Sequence, residues 1–213
     1  MPKVYNIFPE LIMVVKVKKT GILLMLLVLV GFASACLGSD SNTSSQTSTE
    51  SPKYVDVNGT KIYLDQIHFY MYGAKTCPHC RNMKTQIPSV YGGEDALTYY
   101  ELIDNETNME LFRQLNQLTG ITGGVPAIAI VYNDSLQAIF EGEFKVNATP
   151  EIIATAMKEN GGVIMVVQGQ IYLLPRNDPR YSALIDALRT IFVEHRGVDV
   201  QSVLEKLKSN STG

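Results

Sequence analysis

The chain has 213 residues, 46% of them hydrophobic and 18% charged, with a formal net charge of −3. That length and mix suit one domain with a real core, and the charge excludes a basic patch of the kind that binds nucleic acid. Only three cysteines are present. They are too few for a disulfide-built scaffold, so Cys36, Cys77 and Cys80 each need their own explanation.

The N-terminal residues 1–36 read as a leader. Lys16, Lys18 and Lys19 precede an apolar run over residues 21–35, the layout of a secretory signal or a membrane anchor. Met13 begins a more typical basic start than Met1, and is the expected true start. The run ends in Ala33-Ser34-Ala35-Cys36. Small residues before a cysteine suit a lipoprotein signal peptidase, and Cys36 is the expected lipidation site. An uncleaved signal anchor is the alternative, since the run is only slightly shorter than a full membrane span. In either case the lysines stay inside, and the rest of the chain is expected on the extracytoplasmic face of the cell membrane. Residues 37–53 form a Ser/Thr-rich linker without large apolar side chains, expected to act as a flexible tether.

Six Asn-X-Ser/Thr sequons, at Asn42, Asn58, Asn105, Asn133, Asn147 and Asn210, are a several-fold excess over chance. All six fall in expected turns, linker or tail, as glycosylation of an exported protein requires. The competing explanation is that Asn, Ser and Thr favour turns anyway.

From residue 54 onward the pattern is α/β. Residues 54–64 alternate around Asn58-Gly59, a hairpin signal. Residues 68–72 read as a short buried strand leading into Cys77, and Pro78 suits a helix's first turn. That helix is expected to stop before Pro88. A strand over 97–103 follows. A capping box at Thr107–Glu110 then starts a helix that Gly120 ends. Residues 127–132 are an apolar strand, turned by Asn133-Asp134 into a second strand over 137–144. Thr149-Pro150 opens a helix ending near 161–162. Residues 54–160 thus read as one domain with an N-terminal hairpin. Residues 161–213 read as a C-terminal extension: a hairpin over 163–174 about Gly169, then helices over 177–195 and 198–207.

The chemistry concentrates at Cys77-Pro78-His79-Cys80. Cysteines at i and i+3 of a helix share a face and can close a small disulfide ring. The first lies where unpaired backbone N–H groups and the helix dipole converge, and both favour its thiolate, the nucleophilic form. Cys77 is therefore the expected nucleophile and Cys80 the resolving thiol. Pro78 and His79 are expected to tune the site, His79 by donating a hydrogen bond to the thiolate or adding charge near it, with Lys75 and Arg81 adding positive charge. Two alternatives stand against this. A zinc site needs more ligands than His68 and His195 readily supply. A purely structural disulfide would close too small a loop to stabilise much. A second signal is the Gly-rich run ending in Val125-Pro126 just before an apolar strand. It is a candidate cis bond that would set the Val125 backbone beside Cys77 to pair with a substrate strand.

With these residues in place, residues 66–160 resemble the thioredoxin superfamily. Cys77-Pro78-His79-Cys80 and Val125-Pro126 are similar to the active site and cis-proline loop of DsbA-type thiol oxidases. Tyr72-Gly73-Ala74 leading into the motif resembles the thioredoxin-like domains fused to vitamin K epoxide reductase homologues. The resemblance implies a thioredoxin fold, a central mixed sheet flanked by helices, here with the N-terminal hairpin and the C-terminal hairpin-plus-helices extension. It implies a protein-disulfide oxidoreductase needing no cofactor, acting on secreted thiol or disulfide proteins and reoxidised by a membrane quinone-linked partner. The chain departs from the family at Met71, six positions before Cys77, where thioredoxins carry an acid. Three functions follow as expectations. The first is a dithiol oxidase, the second a reductase or isomerase, and the third a surface partner-binding module with a secondary redox pair.

Overall fold

The computed structural model describes residues 53–158 and 161–209. The leader, Cys36, the linker up to Pro52, Asn42 and Asn210 lie outside the described residues. Among the described residues, no helix is long and apolar enough to cross a membrane.

Asn58 and Gly59 both take positive φ, and they join β1 (Tyr54–Val57) to β2 (Thr60–Tyr63) as the hairpin their sequence demands. A separate six-stranded mixed sheet forms the body of the fold. Its strands are β3 (Ile67–Gly73), β4 (Leu97–Glu101), β5 (Ala127–Tyr132), β6 (Ser135–Glu141), β7 (Gly162–Val167) and β8 (Gln170–Pro175), in the spatial order β4-β3-β5-β6-β7-β8. β3 and β4 run parallel, as do β6 and β7; the remaining neighbours are antiparallel.

Helices cover both faces of this sheet, and the period-two alternation of the strands says which residue goes where. Phe69 and Met71 of β3, with Ile128 and Ile130 of β5, pack against α1 (Pro78–Tyr91) and α3 (Thr149–Ala156) through Met83, Ile87 and Ile153. Tyr72, Ala127, Ala129 and Val131 face the other way. There they meet α2 (Glu106–Thr119) and α4 (Pro179–Phe192) through Leu115, Leu118, Leu184 and Leu188, and α5 (Val200–Ser209) packs against those two helices. Each such fully buried aliphatic or aromatic side chain stabilises the fold by roughly 1.5–3 kcal/mol. Tyr72 also donates its hydroxyl to the Ile191 carbonyl at 2.9 Å, tying α4 to the central strand.

The strand and helix limits differ from the sequence reading at several points. α1 does not stop before Pro88 but continues to Tyr91, where Gly92 caps it at φ 88°. Pro88 sits in the last turn, so its missing N–H removes a single helical bond, while buried Met83 and Ile87 hold the turn against the sheet. α2 begins two residues earlier than the expected capping box, because Asn105 is the cap, its side chain accepting from the Asn108 N–H at 3.0 Å. β4 ends at Glu101 rather than 103, where the Glu101 carboxylate takes the Ile103 N–H. β6 starts at Ser135 because Asn133 and Asp134, both at positive φ, make a two-residue turn. α4 is capped by Asp178 and ends at Phe192, inside the expected span of 177–195. Beyond residue 160, β7 bonds directly to β6, so the C-terminal hairpin widens the central sheet.

Candidate active site

β3 delivers the chain to the site, and a tight connection turns it into α1. The Cys77 N–H donates to the Ala74 carbonyl at 2.9 Å. Arg81 donates to the Lys75 and Thr76 carbonyls at 3.2 and 3.0 Å, clasping the same segment. Cys77 is the N-cap of α1, with extended backbone, and Pro78 fills the first helical position. The Cys77 sulfur accepts the Cys80 N–H at 3.4 Å. It therefore occupies the place where unpaired helical N–H groups favour negative charge.

The two thiols are free and differ in setting. Cys77 is partly exposed, and Cys80 is fully buried one turn inward. Burial, helped by its neighbour Cys77, pushes the Cys80 thiol up to about 12. Cys80 therefore keeps its proton at neutral pH. Gly73, the last residue of β3, makes room for it: a Cβ there would lie 2.9 Å from the Cys80 sulfur and 3.0 Å from Tyr99 Cε2.

Val125-Pro126 is a cis peptide bond, and the Cys77 thiol donates to the Val125 carbonyl oxygen at 3.5 Å. Val125 is partly exposed and Pro126 buried. The two signals, far apart in sequence, thus meet at one sulfur. Of the tuning residues, Pro78 sits in the first helical turn as expected, while His79 and Lys75 are each paired with a carboxylate. His79 Nδ1 lies 2.8 Å from Glu143 Oε1, and Asn82 donates to Glu143 Oε2 at 3.0 Å, so the imidazole is engaged by a carboxylate from the segment after β6. The hydrogen bond from His79 is the main reason the Glu143 carboxyl is held below its usual range. Lys75 extends to Asp104 at 3.5 Å across exposed surface.

Three side chains that no sequence signal marks belong to the site: Tyr99 and Glu101 near the thiols, and Glu143 on His79. Each comes from a distant element and belongs to no local motif. Glu101, at the end of β4, accepts the Lys75 and Ile103 N–H groups at 3.1 and 3.0 Å and the Tyr99 hydroxyl at 3.1 Å. Partial burial pulls its carboxyl up, but these donors and the Lys75 charge outweigh that and hold it below the usual value.

The four described sequon asparagines, Asn58, Asn105, Asn133 and Asn147, are all exposed. Two cavities, of about 350 and 430 Å³, do not include Cys77 and lie toward the Asn133-Asp134 turn. Among the described residues, no group of three or more His, Cys, Asp or Glu could hold a metal ion. No family model, curated protein or solved structure matches the chain.

Proposed function

We propose that this chain is a membrane-anchored, extracytoplasmic thiol–disulfide oxidoreductase of the thioredoxin type, working as a dithiol oxidase on secreted proteins. The observation that carries the reading is the Cys77 sulfur itself. It is partly exposed at a helix N-terminus, 3.4 Å from the Cys80 N–H, 3.5 Å from the Val125 carbonyl and backed by buried Cys80. The mixed sheet supports it too, since β4-β3-β5-β6 with α1 and α3 on one face and α2 on the other is the layout of a thioredoxin core. The four exposed sequons support the extracytoplasmic location, while anchoring through residues 1–36 rests on the sequence alone.

In the oxidised form, a substrate thiolate attacks the Cys77 sulfur of the Cys77–Cys80 disulfide, and Cys80 leaves and takes up a proton. A second substrate thiolate then attacks its partner sulfur in the mixed disulfide. The substrate departs with a disulfide, and both protein thiols are reduced. A membrane quinone-linked protein is the proposed acceptor of those two electrons. The Val125 carbonyl beside Cys77 offers a backbone acceptor to an extended substrate segment.

A second reading, a reductase or isomerase, is favoured by one observation: Glu143 engages the imidazole on which the oxidase direction rests. Both readings share one test of mechanism. Cys77→Ser should abolish exchange with a thiol substrate, and Cys80→Ser should accumulate mixed disulfides through Cys77. If instead Cys77→Ser traps substrate and Cys80→Ser does not, the nucleophile has been misassigned. Loss of exchange in Cys77→Ser without loss of any partner binding would separate both from a binding module.

A further inference from the structure

Cys80 raises a chemical question that the motif leaves open. It is fully buried and, as a thiol pushed up to about 12, holds its proton firmly. Yet it must lose that proton to close the ring with Cys77 and regain it when the ring opens. Buried Met71, on the strand beside it, offers no acceptor. The neighbouring strand does.

Tyr99 and Glu101 are i and i+2 on β4 and therefore point to the same face of the sheet. The edge of the Tyr99 ring and the Cys80 sulfur both crowd the Gly73 α-carbon, each within 3.0 Å of the point a Cβ would take. The Tyr99 hydroxyl donates to Glu101 Oε2 at 3.1 Å, leaving its oxygen lone pairs open to a proton from the other side. Glu101 Oε1 is fixed by two backbone N–H groups, so the carboxylate cannot swing away. Tyr99 is half-buried, so protons can pass between the Tyr99–Glu101 pair and solvent, while Cys80 itself is fully buried.

We propose that the Glu101 carboxylate, acting through the Tyr99 hydroxyl and adjoining solvent, is the proton acceptor and donor for Cys80 in the exchange reaction. The inference rests on the thiol-exchange reading and extends it. In the ring-closing direction, the Cys80 sulfur forms a bond to the Cys77 sulfur, and the bond from Cys77 to the substrate sulfur breaks. The substrate leaves as a thiolate. The Cys80 proton passes toward Tyr99 while the Tyr99 proton moves to Glu101, which later releases it to solvent. Ring opening runs the same transfers backward, with Glu101 acquiring its proton from solvent first. No oxidant beyond the mixed disulfide is needed.

Other charges face this path and shape it. Lys84 of α1 lies over the Tyr99 ring at 4.0 Å. Lys75 sits beside Glu101, and its ammonium is drawn to Asp104. Arg81 is committed to the loop carbonyls. Cys77 and Cys80 are the remaining titratable groups felt by Tyr99. The Ile103 and Lys75 N–H groups, the Tyr99 hydroxyl and, least of these, the Lys75 charge keep Glu101 ionised, with its lone pairs available to a proton.

The test uses the full chain with Cys36→Ser in every form, and glutathione disulfide as the probe. Stopped-flow and mass spectrometry separate adduct formation at Cys77 from its resolution by Cys80. In Glu101→Gln, adduct formation should stay within about twofold, while resolution near pH 7 slows roughly tenfold or more. That deficit should shrink toward about pH 9, as hydroxide takes the proton instead. Tyr99→Phe, which leaves the Glu101 clamp on the Lys75 and Ile103 amides intact, should show the same pattern. The double variant should be no slower than Glu101→Gln. Resolution unchanged in Glu101→Gln overturns the relay while leaving thiol exchange standing. Equal slowing of both steps at every pH also overturns it, leaving Glu101 only its grip on the backbone. A parent chain that forms no adduct overturns the relay and the exchange reading together.

Discussion

Gly73 and Cys80 meet so closely that a single methyl on the Gly73 α-carbon would stand 2.9 Å from the Cys80 sulfur. The glycine is there for space, since it lies in a strand without a left-handed φ. Gly73→Ala must displace either Cys80 or Tyr99, and both are held by packed elements. We expect a loss of stability of about 1–3 kcal/mol, the usual range for overpacking a filled site. Denaturant unfolding of the reduced protein would measure it. Cys80 should also become more reactive to alkylation as it is pushed from its cover. A Gly73→Ala protein with unchanged midpoint and an inert Cys80 would show that the site yields freely.

The direction of exchange follows from which redox form the fold favours. In an oxidase the disulfide is the less stable form, so oxidised protein should unfold at lower denaturant than reduced protein. About 1.4 kcal/mol between the two corresponds to about 30 mV. Parallel denaturation of both forms gives the sign. Should the oxidised form prove more stable by several kcal/mol, the protein is a reductant and the second reading leads.

Glu143 holds the His79 imidazole. Its carboxylate engages Nδ1 at 2.8 Å on exposed surface, with Asn82 as second partner. In Glu143→Ala the imidazole is free to turn toward the sulfur. Exposed charge contacts have small effects, so alkylation of Cys77 by iodoacetamide should change by roughly two- to threefold, in the faster direction. His79→Ala combined with Glu143→Ala should remove that gain. Slower alkylation in Glu143→Ala alone would mean the carboxylate aids the thiol rather than drawing its histidine away.

Much of this arrangement was legible locally. Asn58-Gly59 and Asn133-Asp134 specified their turns because few residues accept positive φ. The β5 limits followed from an unbroken apolar run, and Cys77 to Cys80 and Val125-Pro126 announced themselves as short motifs. The misreadings have physical causes. Pro88 reads as a helix stop, but tertiary burial of Ile87 outweighs one lost bond. Thr107 reads as a cap, yet it is the Asn105 side chain that accepts the Asn108 N–H. The pairing of β7 with β6 joins strands separated by α3, and nothing in either strand's own pattern encodes its neighbour. Glu143, Tyr99 and Glu101 escaped for the same reason: a lone acidic or aromatic residue acquires meaning only from what the fold sets beside it.

His195 illustrates such a contact and yields a pH prediction. Its ring stacks on Tyr100 at 4.2 Å and 8°, and its Nε2 lies 2.8 Å from Asn108 Oδ1. Asn108 in turn donates to the Glu101 carbonyl at 2.7 Å, so the segment after α4 is fastened to β4. Burial lowers the folded-state value of His195, and burial likewise lowers that of His68, in part offset by Asp95. For a histidine lowered in the fold, the unfolded chain binds the proton first. Stability is therefore full above the unfolded value of 6.5 and is lost as pH falls below it toward the folded values. The lowered carboxylates, Glu101 and Glu143 among them, change stability only below their own unfolded value of 4.5. The interval between is left to the histidines. The denaturant midpoint should accordingly fall from about pH 7.5 to about pH 5.5. His195→Gln should start lower by about 1 kcal/mol for the lost ring contact and show a shallower fall. A midpoint flat across that interval in the parent chain, or a slope untouched by His195→Gln, would mean the imidazole takes up its proton without leaving Tyr100.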